Sequence, residues 1–112
     1  MIPKPRKARD ARYARSLKGR FRNGLARAKK IGVSWTLAFT EYTHFVSHPC
    51  DYCQGPLDET GSGLDRIDSK LGYEYSNVVP CCGQCNRLKG CDLSASDMRT
   101  IRKIMRFVKE EL

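Results

Sequence analysis

The sequence predicts a small α+β domain, with two short strands and a helix flanked by a basic N-terminal helix and an amphipathic C-terminal helix. Three observations predict it. Two Cys-x-x-Cys pairs are separated by 28 residues, two short apolar segments lie between them, and both ends of the chain carry apolar residues at spacings of three and four. We expect residues 1–32 to form a basic arm and residues 33–112 to form one compact domain.

The N-terminal segment combines an apolar stripe with concentrated positive charge. Apolar residues at helical spacing from Ala14 to Ala28 predict a helix from Ala8 to about Ile31. Residues 1–30 hold 12 of the 21 basic residues and only one of the 12 acidic residues. Such a segment gains nucleic-acid affinity by counterion release. The alternative for residues 1–9 is a disordered solubilising tail. The predicted nucleic-acid-binding residues are Arg12, Arg15, Lys18, Arg20, Arg22, Arg27, Lys29 and Lys30, with Arg87 and Lys89 further on.

Two elements are predicted between this helix and the first cysteine pair. Residues 33–37 read as a short strand because they are mostly β-branched or apolar. Residues 38–46 then form a helix capped by Thr36 or Thr40, and Pro49 ends it.

The remaining elements follow from turn residues and periodicity. Residues 50–63 are rich in Gly, Pro and Asp and predict turns, while residues 64–67 and 77–80 predict two short strands. A helix is expected to begin at Asn86. Residues 94–112 predict the clearest helix, with Ser94 as its cap and Asp97 as the capping partner.

The cysteines predict a metal site. The N-terminus lacks the apolar stretch of a secretory signal, so we expect a reducing, cytoplasmic environment, where paired Cys-x-x-Cys sequences are more often metal ligands than disulfides. Two such pairs form a closed tetrahedral shell, which predicts one structural zinc ion contributing about 10 kcal/mol to folding. The predicted ligands are Cys50, Cys53, Cys82 and Cys85. Of Cys81 and Cys91, one is expected to be packed and the other a spare thiol.

The segment between the two cysteine pairs carries a further pattern. It contains Gly63-Leu-Asp-Arg-Ile-Asp68, then Gly72-Tyr73, then Asn77-Val-Val-Pro, and ends in Cys82-Gly-Gln-Cys-Asn-Arg-Leu-Lys-Gly90. This segment resembles the HNH endonucleases, whose ββα-metal site follows Asp-His-Ile, Asn and Cys-x-x-Cys-Asn-x-x-Lys-Gly. Its Asp-Arg-Ile-Asp form is similar to a variant among phage-type HNH proteins. The resemblance implies a ββα-metal fold that is stabilised by a structural zinc ion.

The resemblance also implies roles for individual residues. Asp65 and Asn86 match the two protein ligands of a catalytic divalent ion, and Asn77 matches the residue that orients the loop and the general base. Oxygen ligands suit Mg²⁺ or Mn²⁺, and such an ion stabilises charge on the scissile phosphate and on the leaving oxygen.

One residue departs from the pattern. Arg66 stands where the family has its histidine base, and arginine stays protonated at physiological pH. We expect Arg66 to bind the scissile phosphate or to neutralise transition-state charge. The preferred base is Asp68, and the alternatives are His44, His48 or water activated by the metal.

The sequence therefore predicts a metal-dependent endonuclease that hydrolyses DNA phosphodiester bonds with low sequence specificity. The alternative is a catalytically impaired, zinc-stabilised nucleic-acid-binding protein, and a weaker one is a redox or metal sensor. DNA is the expected partner, with RNA and branched DNA left open, and neither a membrane nor a small-molecule substrate is expected. We expect a monomer or weak dimer, and the resemblance implies a bacterial or phage-infected cell.

Overall fold

The computed structural model describes residues 12–111, which contain four helices of at least seven residues and one two-stranded sheet. The helices are α1 (Leu17–Lys30), α2 (Phe39–Val46), α3 (Gly83–Lys89) and α4 (Ala95–Glu111), and the strands are β1 (Leu64–Arg66) and β2 (Val78–Pro80). The predicted α+β class is confirmed. The predicted helix start at Ala8, the tail over residues 1–9 and the final residue Leu112 lie outside the described residues.

The sheet and α3 form a ββα unit. β1 pairs antiparallel with β2, and Asp65 lies opposite Val79. The chain leaves β2 at Pro80 and enters α3 three residues later, with Cys82 as the cap whose sulfur accepts from the Cys85 N–H. The helix therefore begins at Gly83 and not at Asn86 as predicted, because a sulfur can cap its first turn.

The first two helices also begin differently from the prediction. Ser16 interrupts the helix expected from Ala8, because its backbone is extended and its side chain accepts from the Gly19 N–H at 3.0 Å. The caps predicted for α2, Thr36 and Thr40, were wrong. Ala38 occupies the cap position, and its N–H donates to the Glu41 carboxylate at 2.8 Å.

The strand predicted over residues 33–37 was also wrong. Only Trp35 pairs there, in an isolated bridge with Tyr73. The Tyr73 carbonyl accepts from the Thr36 N–H at 3.0 Å, and the Tyr73 N–H donates to the Ser34 carbonyl at 2.9 Å. The segment pairs with another part of the chain at one residue only, so it does not form the repeated hydrogen bonds of a strand.

One half of the interior is an aromatic cluster, in which Leu37, Tyr42, Leu64 and Val78 are buried and Phe21, Trp35, Phe39, Phe45, Val46 and Tyr73 pack around them. Phe21 of α1 lies with its ring 5.7, 5.4 and 5.5 Å from the rings of Trp35, Phe39 and Tyr42. At Gly24 a Cβ atom would come within 2.9 Å of the Trp35 ring, so glycine permits this close approach. The predicted boundary at residue 32 stays a prediction, but α1 contributes to this cluster.

The other half is a knuckle cluster, formed by Cys50, Tyr52, Cys81, Cys82, Cys85, Ala95 and Met98. The first turn of α4 supplies Ala95 and Met98. Its predicted cap is confirmed, because the Ser94 N–H donates to Asp97 at 2.9 Å and the Asp97 N–H donates to the Ser94 hydroxyl at 3.0 Å. None of the helices in residues 12–111 has the length and apolar composition needed to cross a membrane.

Candidate active site and metal centre

The four predicted cysteine ligands converge on one point. The sulfur atoms of Cys50, Cys53, Cys82 and Cys85 all lie within 4.8 Å of one another. The first pair is held against the sheet because the Asp51 N–H donates to the Pro80 carbonyl at 2.8 Å. This cluster has the composition and size to hold a metal ion. Cys81 is buried outside it and Cys91 is exposed, as predicted for a packed and a spare thiol.

A buried carboxylate lies beside this cluster. Asp65 in β1 accepts two hydrogen bonds at the same oxygen, Oδ2, from the Tyr52 hydroxyl at 2.7 Å and from the Lys89 ammonium at 2.6 Å. The side chains of Lys89 and Asp65 are only 7% and 10% exposed. Burial and the hydrogen bond to Asp65 raise the pKa of Tyr52 above its usual value, so its hydroxyl stays a donor at neutral pH.

A cleft of about 440 Å³ opens next to this carboxylate. Asp65 from β1 and Asn86 and Lys89 from α3 line it, together with Arg66 and Asp68. Asn86 is exposed and lies one helical turn before Lys89, so both side chains are on one face of α3. The ββα unit thus brings both predicted divalent-metal ligands to the same cleft.

Arg66 is held by the loop that follows β1. Its Nη1 donates to the carbonyls of Ser69 at 2.9 Å and Leu71 at 3.0 Å, and its guanidinium lies 5.3 Å from the centre of the Tyr73 ring. These contacts fix a permanent positive charge at the edge of the cleft.

Asn77 holds the same loop through its side-chain amide. Its amide nitrogen donates to the carbonyls of Asp68 at 3.0 Å and Gly72 at 2.9 Å, while its oxygen accepts from the Asp68 N–H at 2.9 Å. Asn77 is buried, and its three hydrogen bonds shape the loop. The Asp68 carboxylate is exposed and accepts from the Lys70 N–H at 2.9 Å through Oδ1.

The two histidines lie apart from the cleft lining. His44 and His48 are both exposed, and their rings are 5.0 Å apart. The Nδ1 atom of His48 lies 2.9 Å from the His44 carbonyl. Neither residue lines the cleft that contains Asp65.

The predicted nucleic-acid-binding residues differ in exposure. Eight of the ten are exposed: Arg12, Arg15, Lys18, Arg22, Arg27, Lys29, Lys30 and Arg87. Arg20 is buried, and its Nε donates to the Gly61 carbonyl at 3.0 Å. Lys89 is buried in its ion pair with Asp65. The structure thus places Arg20 in the packing of α1 and Lys89 inside the cleft.

The part played by Tyr52 was missed by sequence reasoning. It lies inside the first Cys-x-x-Cys pair, where a buried tyrosine needs a partner for its hydroxyl. That rule points to a polar contact, but nothing in the local sequence identifies Asp65 as the partner.

Comparisons with known proteins connect this geometry to a fold. No protein-family model matches the chain. A stretch of 58 residues, 52% of the chain, is 36% identical to uncharacterized protein R423 of Acanthamoeba polyphaga mimivirus, and it spans 11% of that protein. Among solved structures, the rare-cutting HNH restriction endonuclease PacI matches 80% of this chain and 76% of its own, with a TM-score of 0.66 and 24% identity. The chain therefore shares the fold of this structural neighbour.

Proposed function

We propose that the chain is a metal-dependent HNH endonuclease that hydrolyses DNA phosphodiester bonds with low sequence specificity. The observation that carries the proposal is the shared cleft, since β1 and α3 direct Asp65 and Asn86 into it. The structural neighbour PacI supports the endonuclease part of this proposal, because it is an HNH restriction endonuclease that perturbs DNA. The low sequence specificity is proposed from the exposed cations of α1, since contacts to phosphate do not read sequence.

A structural zinc ion is the metal that suits the cysteine cluster. Tetrahedral zinc with Zn–S bonds of about 2.3 Å places its sulfur ligands about 3.8 Å apart. The sulfur atoms of Cys53 and Cys82 are 3.7 Å apart. Four thiolates fill the coordination shell, so this ion would hold the fold and would take no part in hydrolysis.

A hard divalent ion, Mg²⁺ or Mn²⁺, suits the cleft. A carboxylate and an amide oxygen match the donors that such ions prefer, and Asp65 and Asn86 would hold the ion. When bound, it would supply Lewis-acid stabilisation of the charge that develops on the phosphate and the leaving oxygen.

Side chains of the protein would bind the phosphate, act as the general base and bind the DNA backbone. Arg66 is fixed by hydrogen bonds to two loop carbonyls. It would bind the scissile phosphate, since guanidinium groups pair well with phosphate oxygens. Asp68 is the preferred base because it is exposed, lines the cleft and is held by the loop that Asn77 shapes. The exposed cations of α1 would bind the DNA backbone, which positions the protein without reading sequence.

A second function, nucleic-acid binding without cleavage, is favoured by two observations. Arg66 cannot accept a proton, and Lys89 already pairs with the proposed metal ligand Asp65. The two functions differ in whether hydrolysis depends on Asp65 and Asn86.

The test is cleavage of supercoiled plasmid with Mg²⁺ or Mn²⁺, comparing wild type with Asp65→Ala and Asn86→Ala. Wild type should nick the plasmid, and both variants should lose more activity than the roughly 10- to 100-fold that outer-sphere substitutions cost. Glu59→Ala, an exposed carboxylate outside the cleft lining, is the matched control and should cleave normally.

The outcomes separate the two functions. Wild type that binds DNA but never nicks it with either ion would leave only the binding protein. Asp65→Ala cutting as well as wild type would remove Asp65 as the metal ligand. Arg66→His adds a side chain able to accept a proton near neutral pH, so a gain in its rate would identify the missing base as the limiting defect.

A further inference from the structure

The Asp65 carboxylate is bonded asymmetrically. Tyr52, from the first cysteine pair, and Lys89, from α3, both donate to Oδ2 at 2.7 and 2.6 Å. Among residues 12–111, no hydrogen bond to the other oxygen, Oδ1, is found. Asp65 lines the cleft, so Oδ1 is the oxygen left for a ligand.

Both donors are held firmly in place. Tyr52 is 1% exposed and packs in the knuckle cluster between two cysteine ligands. Lys89 is 6% exposed, and its ammonium also donates to the Arg66 carbonyl at 2.7 Å. Neither donor can swing away without breaking other contacts, so Oδ2 stays occupied.

We propose that Tyr52 and Lys89 are positioning residues that select the catalytic cation, by occupying Oδ2 and leaving only Oδ1 of Asp65 to the ion. The proposal rests on the proposed function, in which Asp65 is a metal ligand. Mg²⁺ and Mn²⁺ bind in compact octahedral sites, whereas the larger Ca²⁺ accepts six to eight ligands and often takes both oxygens of one carboxylate. Blocking Oδ2 therefore disfavours Ca²⁺ relative to Mn²⁺.

A merely structural role would give a different result. Loosening of the site would weaken every divalent ion in similar proportion. Loss of either donor instead frees one of the two lone pairs of Oδ2, which changes the ratio of Ca²⁺ to Mn²⁺ affinity, because only Ca²⁺ gains a second ligand atom from the same carboxylate. The affinity ratio is thus the informative measurement.

The experiment measures Mn²⁺ binding to the zinc-loaded full chain by electron paramagnetic resonance, with displacement by Ca²⁺, in the absence of DNA. Asp65→Asn should abolish the site. Tyr52→Phe should weaken Mn²⁺ binding by about tenfold, as loss of an outer-sphere partner does, and Ca²⁺ binding by less. Lys89→Met removes a neighbouring positive charge, so it should strengthen both ions while moving the ratio toward Ca²⁺.

Tyr42→Phe is the matched control, because Tyr42 is also a buried tyrosine whose hydroxyl is bonded, to the Ser62 carbonyl at 2.6 Å, but it lies outside the cleft lining. This control should have the same ratio of Ca²⁺ to Mn²⁺ affinity as the wild type. If Tyr52→Phe loses zinc or fails to fold, the change in the ratio of Ca²⁺ to Mn²⁺ affinity is tested by Lys89→Met, which lies in α3.

The failures are distinguishable. Mn²⁺ binding that survives Asp65→Asn would overturn the metal site and with it the proposed function. Loss of binding in Asp65→Asn, with wild-type ratios in both Tyr52→Phe and Lys89→Met, would overturn the selection by Tyr52 and Lys89 while the metal site stands.

Discussion

The aromatic cluster and the knuckle cluster stabilise the two halves of this chain by different means. The aromatic cluster joins α1, α2 and the sheet through large rings, and the Trp35 and Tyr73 rings lie 5.0 Å apart. Four of the seven buried residues of the knuckle cluster are cysteines, which contribute little apolar volume. One half is thus held by apolar burial, whereas the other contains four cysteines that could hold a metal ion.

The candidate site lies where these halves meet. In the sheet, Leu64 belongs to the aromatic cluster, while Val79, the partner of Asp65, packs against the knuckle cluster. The hydrogen bond from Tyr52 to Asp65 then joins the first cysteine pair to β1. The position of the Asp65 carboxylate therefore depends on both clusters. A substitution in the knuckle cluster and one in the aromatic cluster should have different effects on the chain.

The largest effect is expected from breaking the metal cluster. Cys82→Ser removes one thiolate while its hydroxyl can still cap α3, so the knuckle cluster should lose its metal and unfold through the lost ligand alone. Metal binding contributes about 10 kcal/mol or more in small zinc-dependent domains, which exceeds the stability of most small folds. Zinc per chain and far-UV circular dichroism would measure the loss, and a chelator should reproduce it in wild type.

Cys91→Ser is the control for this substitution, because Cys91 is exposed and lies outside the cluster. It should keep one zinc ion and the wild-type melting temperature. A Cys82→Ser chain with full zinc and unchanged melting would show that the four cysteines do not form a metal centre.

Substitution in the aromatic cluster should give a smaller effect with a different signature. Phe21→Ala removes a ring that contacts three others, and it should lower the free energy of unfolding by about 3 kcal/mol. Zinc content should stay unchanged, because Phe21 does not belong to the knuckle cluster. Urea unfolding followed by tryptophan fluorescence would report on Trp35 directly.

Leu25→Ala on the same helix is the matched control. Leu25 is 41% exposed, so its loss should change the free energy of unfolding by only about 0.5 kcal/mol. Equal stability of Phe21→Ala and wild type would indicate that α1 is a separate arm, as the predicted boundary at residue 32 requires.

The sequence predicted best where the determining contacts are local. Cysteine spacing grouped four side chains whose sulfur atoms do converge, and the Ser94–Asp97 cap was recognised because its partners are three residues apart. The motif likewise identified Asp65 and Asn86, which line one cleft. In each case a short pattern encodes the geometry.

Contacts between distant segments were beyond sequence reasoning. Tyr52 and Lys89 meet Asp65 across 13 and 24 positions, so no local spacing encodes their bonds. Arg20 looks like its basic neighbours in the sequence, yet packing of α1 against the Gly61 turn buries it. The segment around Trp35 has strand-like composition, but its extent depends on a bridge to Tyr73 that the tertiary fold creates.

The smallest effect is expected from the cap of α4, which carries Ala95 and Met98 into the knuckle cluster. Ser94→Ala removes the hydroxyl that accepts from the Asp97 N–H at 3.0 Å, and it should lower the free energy of unfolding in urea by about 1 kcal/mol at pH 7.

Hydrogen bonds from Ser94 hold the pKa of Asp97 below its ordinary value of 3.8, so this carboxylate is ionised at pH 7. The contribution of the ionised carboxylate to stability is lost only in acid below that value. Ser96→Ala, at the exposed second residue of the same helix, should be nearly neutral. Zinc affinity should fall only slightly in Ser94→Ala, because the cap supports the helix that covers the knuckle cluster without touching its ligands. Loss of zinc as complete as in Cys82→Ser would contradict this, and it would mean that the metal holds the knuckles only when α4 is fully formed.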